Sequence, residues 1–99
     1  MPYIKQEQRD LIDDDIANLV ESISDFTDDE KEGVLNYTIT SLLNAMPGKN
    51  KAGDREWRYK FINRVVGVLE CVKLEFYHRL AGPYEDVAIE KNGDIKIYE

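Results

Sequence analysis

Apolar residues recur along the chain with the spacing of amphipathic helices. The first segment carries five aliphatic side chains on one helical face: Ile12, Ile16, Leu19, Val20 and Ile23. Their spacing predicts a first helix over about residues 10–24. Thr27 and Glu30 then form a capping-box pattern ahead of an apolar run. A second helix is therefore predicted to begin after Thr27 and to end before Pro47-Gly48.

The third segment predicts the longest helix, over about residues 55–80. One arc of it carries seven apolar side chains: Phe61, Val65, Val68, Leu69, Val72, Phe76 and Leu80. Val66, Gly67, Leu74 and Tyr77 lie outside this arc, and a helix that is apolar on more than one side is buried on more than one side. A mid-helix glycine costs about 0.5–1 kcal/mol, which a close backbone approach explains. The pattern favours a homo-oligomer with these four residues at its interface. The alternative is that a terminal segment covers the second face.

The C-terminal part predicts three further features. Gly82-Pro83 is expected to end the long helix, and residues 83–91 are expected to form a short helix closed by Asn92-Gly93. Ile95 and Ile97 alternate with polar residues, which predicts a strand that pairs with residues 3–5 or with a second subunit. The expected fold is one mainly α domain over residues 1–99. It has a three-helix core with a long third helix, a short C-terminal helix, a short terminal strand and an oligomer interface that includes Ile95 and Ile97.

Charge changes this picture by excluding some partners. The 99 residues carry a net charge of −7, which opposes nonspecific nucleic-acid binding. Residues 7–32 hold eleven acids against two bases, a net charge of −9, whereas residues 49–79 hold eight bases against four acids, a net charge of +4. The two regions either face each other, within or between subunits, or the basic one binds a small anion. No apolar run reaches the length of a membrane span. A single cysteine and an N-terminus unlike a signal peptide predict a cytoplasmic protein.

The sequence offers little for catalysis or for metal binding. His78 and Cys71 are seven residues apart on one predicted helix, about 10 Å along its axis. Zinc needs three or four such ligands, and no phosphate-binding glycine loop is present. The chain is therefore predicted to be a non-enzyme without metal or cofactor. The spacings of Glu70 with Lys73 and of Glu75 with Arg79 favour helix-surface ion pairs.

A basic cluster near the start of the third helix is the main candidate for ligand binding. It consists of Arg55, Arg58, Tyr59, Lys60, Asn63 and Arg64. Arginine donates two hydrogen bonds at once to a phosphate, and an aromatic ring stacks on a base. Arg58 and Lys60 point about 160° apart on a helix, so an oligomer would have to pool the set from neighbouring chains. The alternative interpretation is a solvated basic face.

Several blocks resemble a family of small proteins of unknown activity from tailed phages and bacteria. They are residues 1–5 (MPYIK), 35–40 (LNYTIT), 62–79 with its GVLECVKLEFYHR run, 83–86 (PYED) and 92–94 (NGD). The chain departs from the family pattern in the insert-like loop 47–54 and at His78, where arginine is expected. The resemblance implies a phage-type setting and no mechanism. The polar residues that stand in its blocks are Asn36, Tyr37, Thr40, Asn63, Glu70, Lys73, Tyr77 and Arg79, and these join the candidate ligand-binding set.

Two function hypotheses follow. The first is an oligomeric, non-enzymatic phage-type binding protein that sequesters a nucleotide-like immune signal in the host cytoplasm. The second is a protein–protein adaptor or inhibitor that acts on a host protein through its acidic N-terminal half.

Overall fold

The computed structural model describes residues 2–48, 51–53 and 56–99, and these residues are mainly helical. Helix α1 spans Gln6–Ser24. It begins four residues earlier than predicted, because the Gln8 side chain accepts a hydrogen bond from the Lys5 backbone N–H at 3.2 Å. One turn further on, the Gln6 amide donates to Asp10 at 2.7 Å. This first turn lacks the Ser, Thr, Asp or Asn that usually announces a helix start.

Helix α2 spans Asp28–Ala45 and contacts α1, from which a three-residue turn separates it. The predicted capping box is confirmed. The Glu30 N–H donates to the Thr27 hydroxyl oxygen at 3.4 Å, and the Thr27 N–H donates back to the Glu30 carboxylate at 3.0 Å. The Thr27 hydroxyl also donates to the Glu30 carboxylate, at 2.8 Å. The bonds that this carboxylate accepts from the Thr27 N–H and from the Thr27 hydroxyl hold the pKa of Glu30 below its ordinary value of 4.5, the backbone bond contributing most.

Helix α3 spans Tyr59–Phe76, and the chain stays helical beyond it. A single π-helical turn covers Tyr77–Ala81, and helix α4 follows at once over Gly82–Asn92. The predicted short helix is confirmed, with Pro83 in its first turn, but the break expected before it is not found, because the π-helical turn joins α3 to α4. Pro83 has no backbone N–H and its ring crowds the preceding turn. The wider π-helical turn accommodates it, with the Gly82 N–H bonded to the Tyr77 carbonyl.

The C-terminus differs from the prediction in one element. Helix α4 closes at Gly93, whose φ of +85° suits glycine. Lys96–Tyr98 then forms one 3₁₀ turn, in which the Tyr98 N–H donates to the Ile95 carbonyl at 3.0 Å. The predicted terminal strand through Ile95 and Ile97 is wrong, and the described residues contain no strand. Alternation over so few residues also suits a short turn.

The chain divides into two compact units, residues 1–62 and 63–99. Neither unit buries an apolar side chain among the described residues other than Pro47. The three predicted helices are present, and their large apolar side chains remain exposed or half-buried within each unit. No described helix is long and apolar enough to cross a membrane.

Candidate ligand-binding and association surfaces

The basic cluster lies where α3 begins. The Trp57 and Phe61 rings stack with their centroids 5.6 Å apart. The Arg58 carbonyl accepts hydrogen bonds from the Phe61 and Ile62 N–H groups at 2.9 and 3.0 Å. Arg58 thus stands at the N-cap of α3, and the ring stack of Trp57 and Phe61 spans this turn. Arg55, the remaining base of the predicted cluster, lies outside the described residues.

The cations of this cluster are available to an external anion. Among the described residues, no carboxylate pairs with Arg58, Lys60 or Arg64. All three side chains are exposed, and Tyr59 beside them is 77% exposed. Uncompensated cations next to an open aromatic ring are the components of a site for phosphate and base. The cluster is open to solvent, so one protomer supplies hydrogen-bond donors but does not enclose a ligand.

Two other predicted cations are already neutralised. Lys73 pairs with Glu70 at 2.9 Å, and Arg79 pairs with Glu75 at 3.1 Å. Both predicted ion pairs are confirmed. Solvent-exposed pairs of this kind stabilise a helix only slightly, yet each lowers the charge that its base offers to a ligand. The structure thereby separates Arg58, Lys60 and Arg64 from Lys73 and Arg79 within the predicted set.

The predicted polar residues of α2 form a group of their own. The Thr40 hydroxyl donates to the Asn36 side-chain oxygen at 3.2 Å, one turn away on the same helix. Tyr37 is 74% exposed. These contacts lie within α2 and include none of the basic residues near the start of α3.

The residues predicted to form an oligomer interface are all on the surface. Val66 is 58%, Leu74 57% and Tyr77 53% exposed, and Ile95 and Ile97 are exposed as well. Apart from the neighbouring backbone of α3 itself, no atom of the described residues lies within 4 Å of a methyl group placed on Gly67. The described part of the chain therefore supplies no close neighbour that explains a glycine in the middle of α3.

Sequence reasoning missed the contact that spans the π-helical turn. The Tyr77 hydroxyl donates a short hydrogen bond to the Glu85 carboxylate on α4. This bond raises the pKa of Tyr77 above its ordinary value of 10.0, and the negative charge of Glu85 adds to the effect. The only sequence signal is the Gly82-Pro83 pair inside an otherwise helical pattern, and that pair predicts a helix end and not a contact across a turn.

The acidic surface of α1 is the second charged feature. Asp13, Asp14 and Asp15 are exposed and form no ion pair with described residues. Ile16 and Leu19 on the same helix remain 50% and 42% exposed. Within the described residues, no group of three histidine, cysteine, aspartate or glutamate side chains is placed to hold a metal ion.

Comparison with known proteins gives a family and no activity. No curated protein and no solved structure matches the chain significantly. One family model matches residues 1–95, and it is described as a domain of unknown function, DUF6899. Because that match covers nearly the whole chain, the protein belongs to the DUF6899 family.

Proposed function

We propose that the protein is a non-enzymatic, homo-oligomeric binding protein whose ligand is a small nucleotide-like anion. The observation that carries this proposal is the set of three exposed cations without a carboxylate partner, Arg58, Lys60 and Arg64, beside the open ring of Tyr59. Guanidinium groups bind phosphate through two parallel hydrogen bonds, and a tyrosine ring stacks on a base.

Oligomerisation is part of the proposal because one protomer cannot direct the whole cluster at one ligand. Arg58 and Lys60 are two residues apart, which separates them by about 160° around a helix. Neighbouring copies would complete the site by contributing cations from different faces. The exposed Val66 and Leu74 supply apolar surface that such an assembly would cover.

The biological setting rests on the resemblance of sequence blocks to proteins of tailed phages. In that setting a small cytoplasmic protein of this kind would sequester a host nucleotide signal and so blunt host defence. Sequestration requires binding without turnover, which agrees with a site built from arginine, lysine and tyrosine.

Thermal unfolding against a panel of mono-, di- and cyclic nucleotides tests the ligand. A free ligand at 100 times its dissociation constant stabilises the fold by about 2.7 kcal/mol. Arg58→Ala and Arg64→Ala should each remove that stabilisation, whereas Lys91→Ala, a loss of the same charge on α4, should keep it. A shift that survives both arginine variants, or no shift with any nucleotide, contradicts this site.

A second candidate is a protein–protein adaptor or inhibitor that acts on a host protein through the acidic N-terminal half. It is favoured by the unpaired acids of α1 next to its half-exposed Ile16 and Leu19. Such a partner would present a basic groove. The triple variant Asp13→Asn, Asp14→Asn, Asp15→Asn should release it, whereas Arg58→Ala should not. Retention by the triple variant counts against this function.

A further inference from the structure

Two pairs of opposite charge lie near the two ends of the helical segment from Tyr59 to Asn92. Lys60 and Arg64 are one turn apart on α3, and Asp86 and Glu90 are one turn apart on α4. All four side chains are exposed, and none has a hydrogen-bond or ion-pair partner among the described residues. The segment thus presents a basic pair near its start and an acidic pair near its end, both uncompensated.

The two pairs lie on one side of the helical segment. Successive residues of an α-helix turn by about 100°, and a π-helical turn accommodates about one extra residue. With Tyr77–Ala81 in the π conformation, Asp86 comes to within roughly 60° of Arg64 around the axis. Gly67 and Cys71 lie between the pairs on that side, and no atom approaches the position of a Gly67 side chain within 4 Å. Small residues here leave room for a second helix.

The spacing of the pairs is self-complementary in an antiparallel arrangement. Lys60 precedes Arg64 by four residues, and Glu90 follows Asp86 by four residues. A register that sets Arg64 against the partner's Asp86 therefore also sets Lys60 against the partner's Glu90. Two-fold symmetry repeats both ion pairs, with the axis level with Glu75. A parallel arrangement in register would instead oppose like charges.

We propose that two copies of the chain pair antiparallel through this side of α3 and α4, with Lys60 and Arg64 of each copy bonded to Glu90 and Asp86 of the other. This interface deepens the homo-oligomer of the proposed function and rests on it. Exposed ion pairs contribute little affinity and fix register and direction, while Leu74 at the edge of the face adds apolar contact. Lys60 and Arg64 then serve subunit pairing, which narrows the direct anion contacts of the proposed site to Arg58 and Tyr59 of each copy.

A charge exchange between two variants tests the arrangement. One variant carries Lys60→Glu and Arg64→Glu, and the other carries Asp86→Lys and Glu90→Lys. Each alone should self-associate at least about tenfold more weakly than the unaltered chain, because like charges meet in both. An equimolar mixture should form a heterodimer with close to the original affinity, since opposite charges meet at every pair. Sedimentation equilibrium measures this, and circular dichroism reports whether each variant keeps its helices.

A mixture that associates no more tightly than its components overturns the antiparallel register. Cysteine cross-linking gives an answer that does not require the charge variants to fold. In a Cys71→Ser background, Glu75→Cys places thiols next to the two-fold axis, within disulfide reach of each other. Lys73→Cys is the matched control, because it also removes one member of an ion pair but points about 160° away.

Under oxidised glutathione the Glu75→Cys chain should form a covalent dimer and the Lys73→Cys chain should not. Equal cross-linking of the two contradicts the inference. A dimer whose affinity does not respond to the charge exchange, and whose cross-linking does not depend on the position of the thiol, would overturn this interface. The proposed homo-oligomer would remain. A monomer at every concentration overturns both.

Discussion

The pair of helices α1 and α2 and the continuous helical segment from α3 to α4 differ in how their ends and charges are arranged. The first pair is delimited by local hydrogen bonds, such as the capping box of Thr27 and Glu30, and its described residues form one ion pair, between Asp28 and Lys31 at 3.2 Å. The second segment runs through a Gly-Pro pair by means of a π-helical turn and carries two internal ion pairs. Local hydrogen bonds therefore determine where α1 and α2 begin. The segment from α3 to α4 instead has its contacts, the π-helical turn and the two ion pairs, distributed along its length.

The largest expected difference between the two regions concerns self-association. Leu74→Asp should weaken it about tenfold or more, because a carboxylate would be desolvated against the second copy. Leu11→Asp, at a position on α1 that is 83% exposed, should leave it unchanged. Sedimentation velocity of the two variants measures the difference. Equal effects would mean that the α3 face has no special part in association.

Loss of the α2 cap should be the next largest effect. Thr27→Ala removes the hydroxyl that accepts the Glu30 N–H, and losses of this kind cost about 1 kcal/mol. Thr27→Ser keeps the hydroxyl and should retain most of the stability. Urea titration followed by circular dichroism compares the two variants, and indistinguishable midpoints would show that the cap contributes nothing.

Gly33 in α2 and Gly67 in α3 allow the two regions to be compared by substitution. Apart from the backbone of its own helix, no atom of the described residues lies within 4 Å of a methyl group placed on either glycine. Gly33→Ala in α2 should stabilise the helix by about 0.5–1 kcal/mol without altering association. Gly67→Ala in α3 should give the protomer the same gain and weaken self-association, because the methyl group meets the second copy. Denaturation and sedimentation together separate the two effects. A Gly67→Ala chain that associates normally argues against a close approach at this position.

The smallest expected effects are pH responses of opposite sign. Glu30 has a lowered pKa, so its contribution is present above about pH 4.5 and is lost as pH falls through the folded-state pKa. Tyr77 has a raised pKa, so its contribution is present below pH 10.0 and is lost as pH rises through the folded-state pKa.

Thermal melting across pH checks both responses. Glu30→Gln should flatten only the acid limb of the melting curve, and Tyr77→Phe should flatten only the alkaline limb. A variant that alters the opposite limb, or neither, would show that its hydrogen bond does not couple folding to pH.

The sequence predicted the helices well and the burial of their apolar faces poorly. Capping chemistry is local, so Thr27 and Glu30 identified the start of α2 correctly, and the four-residue spacing of Glu75 and Arg79 identified their ion pair. Gly82-Pro83 identified the start of α4 correctly, but it did not reveal the π-helical turn that joins α3 to α4 or the hydrogen bond from Tyr77 to Glu85 across it. Apolar periodicity identified which face of each helix is apolar and favours burial. It does not indicate whether the residues that would bury this face belong to the same chain.

The sequence predicted which residues make up the candidate site, but not which of its cations form ion pairs. Arg58, Lys60 and Arg64 were singled out together with Lys73 and Arg79, and ion pairing separated the two groups. The acidic pair Asp86 and Glu90 went unnoticed because its match to Lys60 and Arg64 emerges only when α3 and α4 form one helical segment.

The central claim is that a second copy covers the exposed side of α3, and the molar mass of the unaltered chain tests it most directly. Sedimentation velocity from nanomolar to high micromolar concentration should show the protomer replaced by a species of twice its mass. A mass of one protomer throughout that range, with helix content unchanged, would contradict the account.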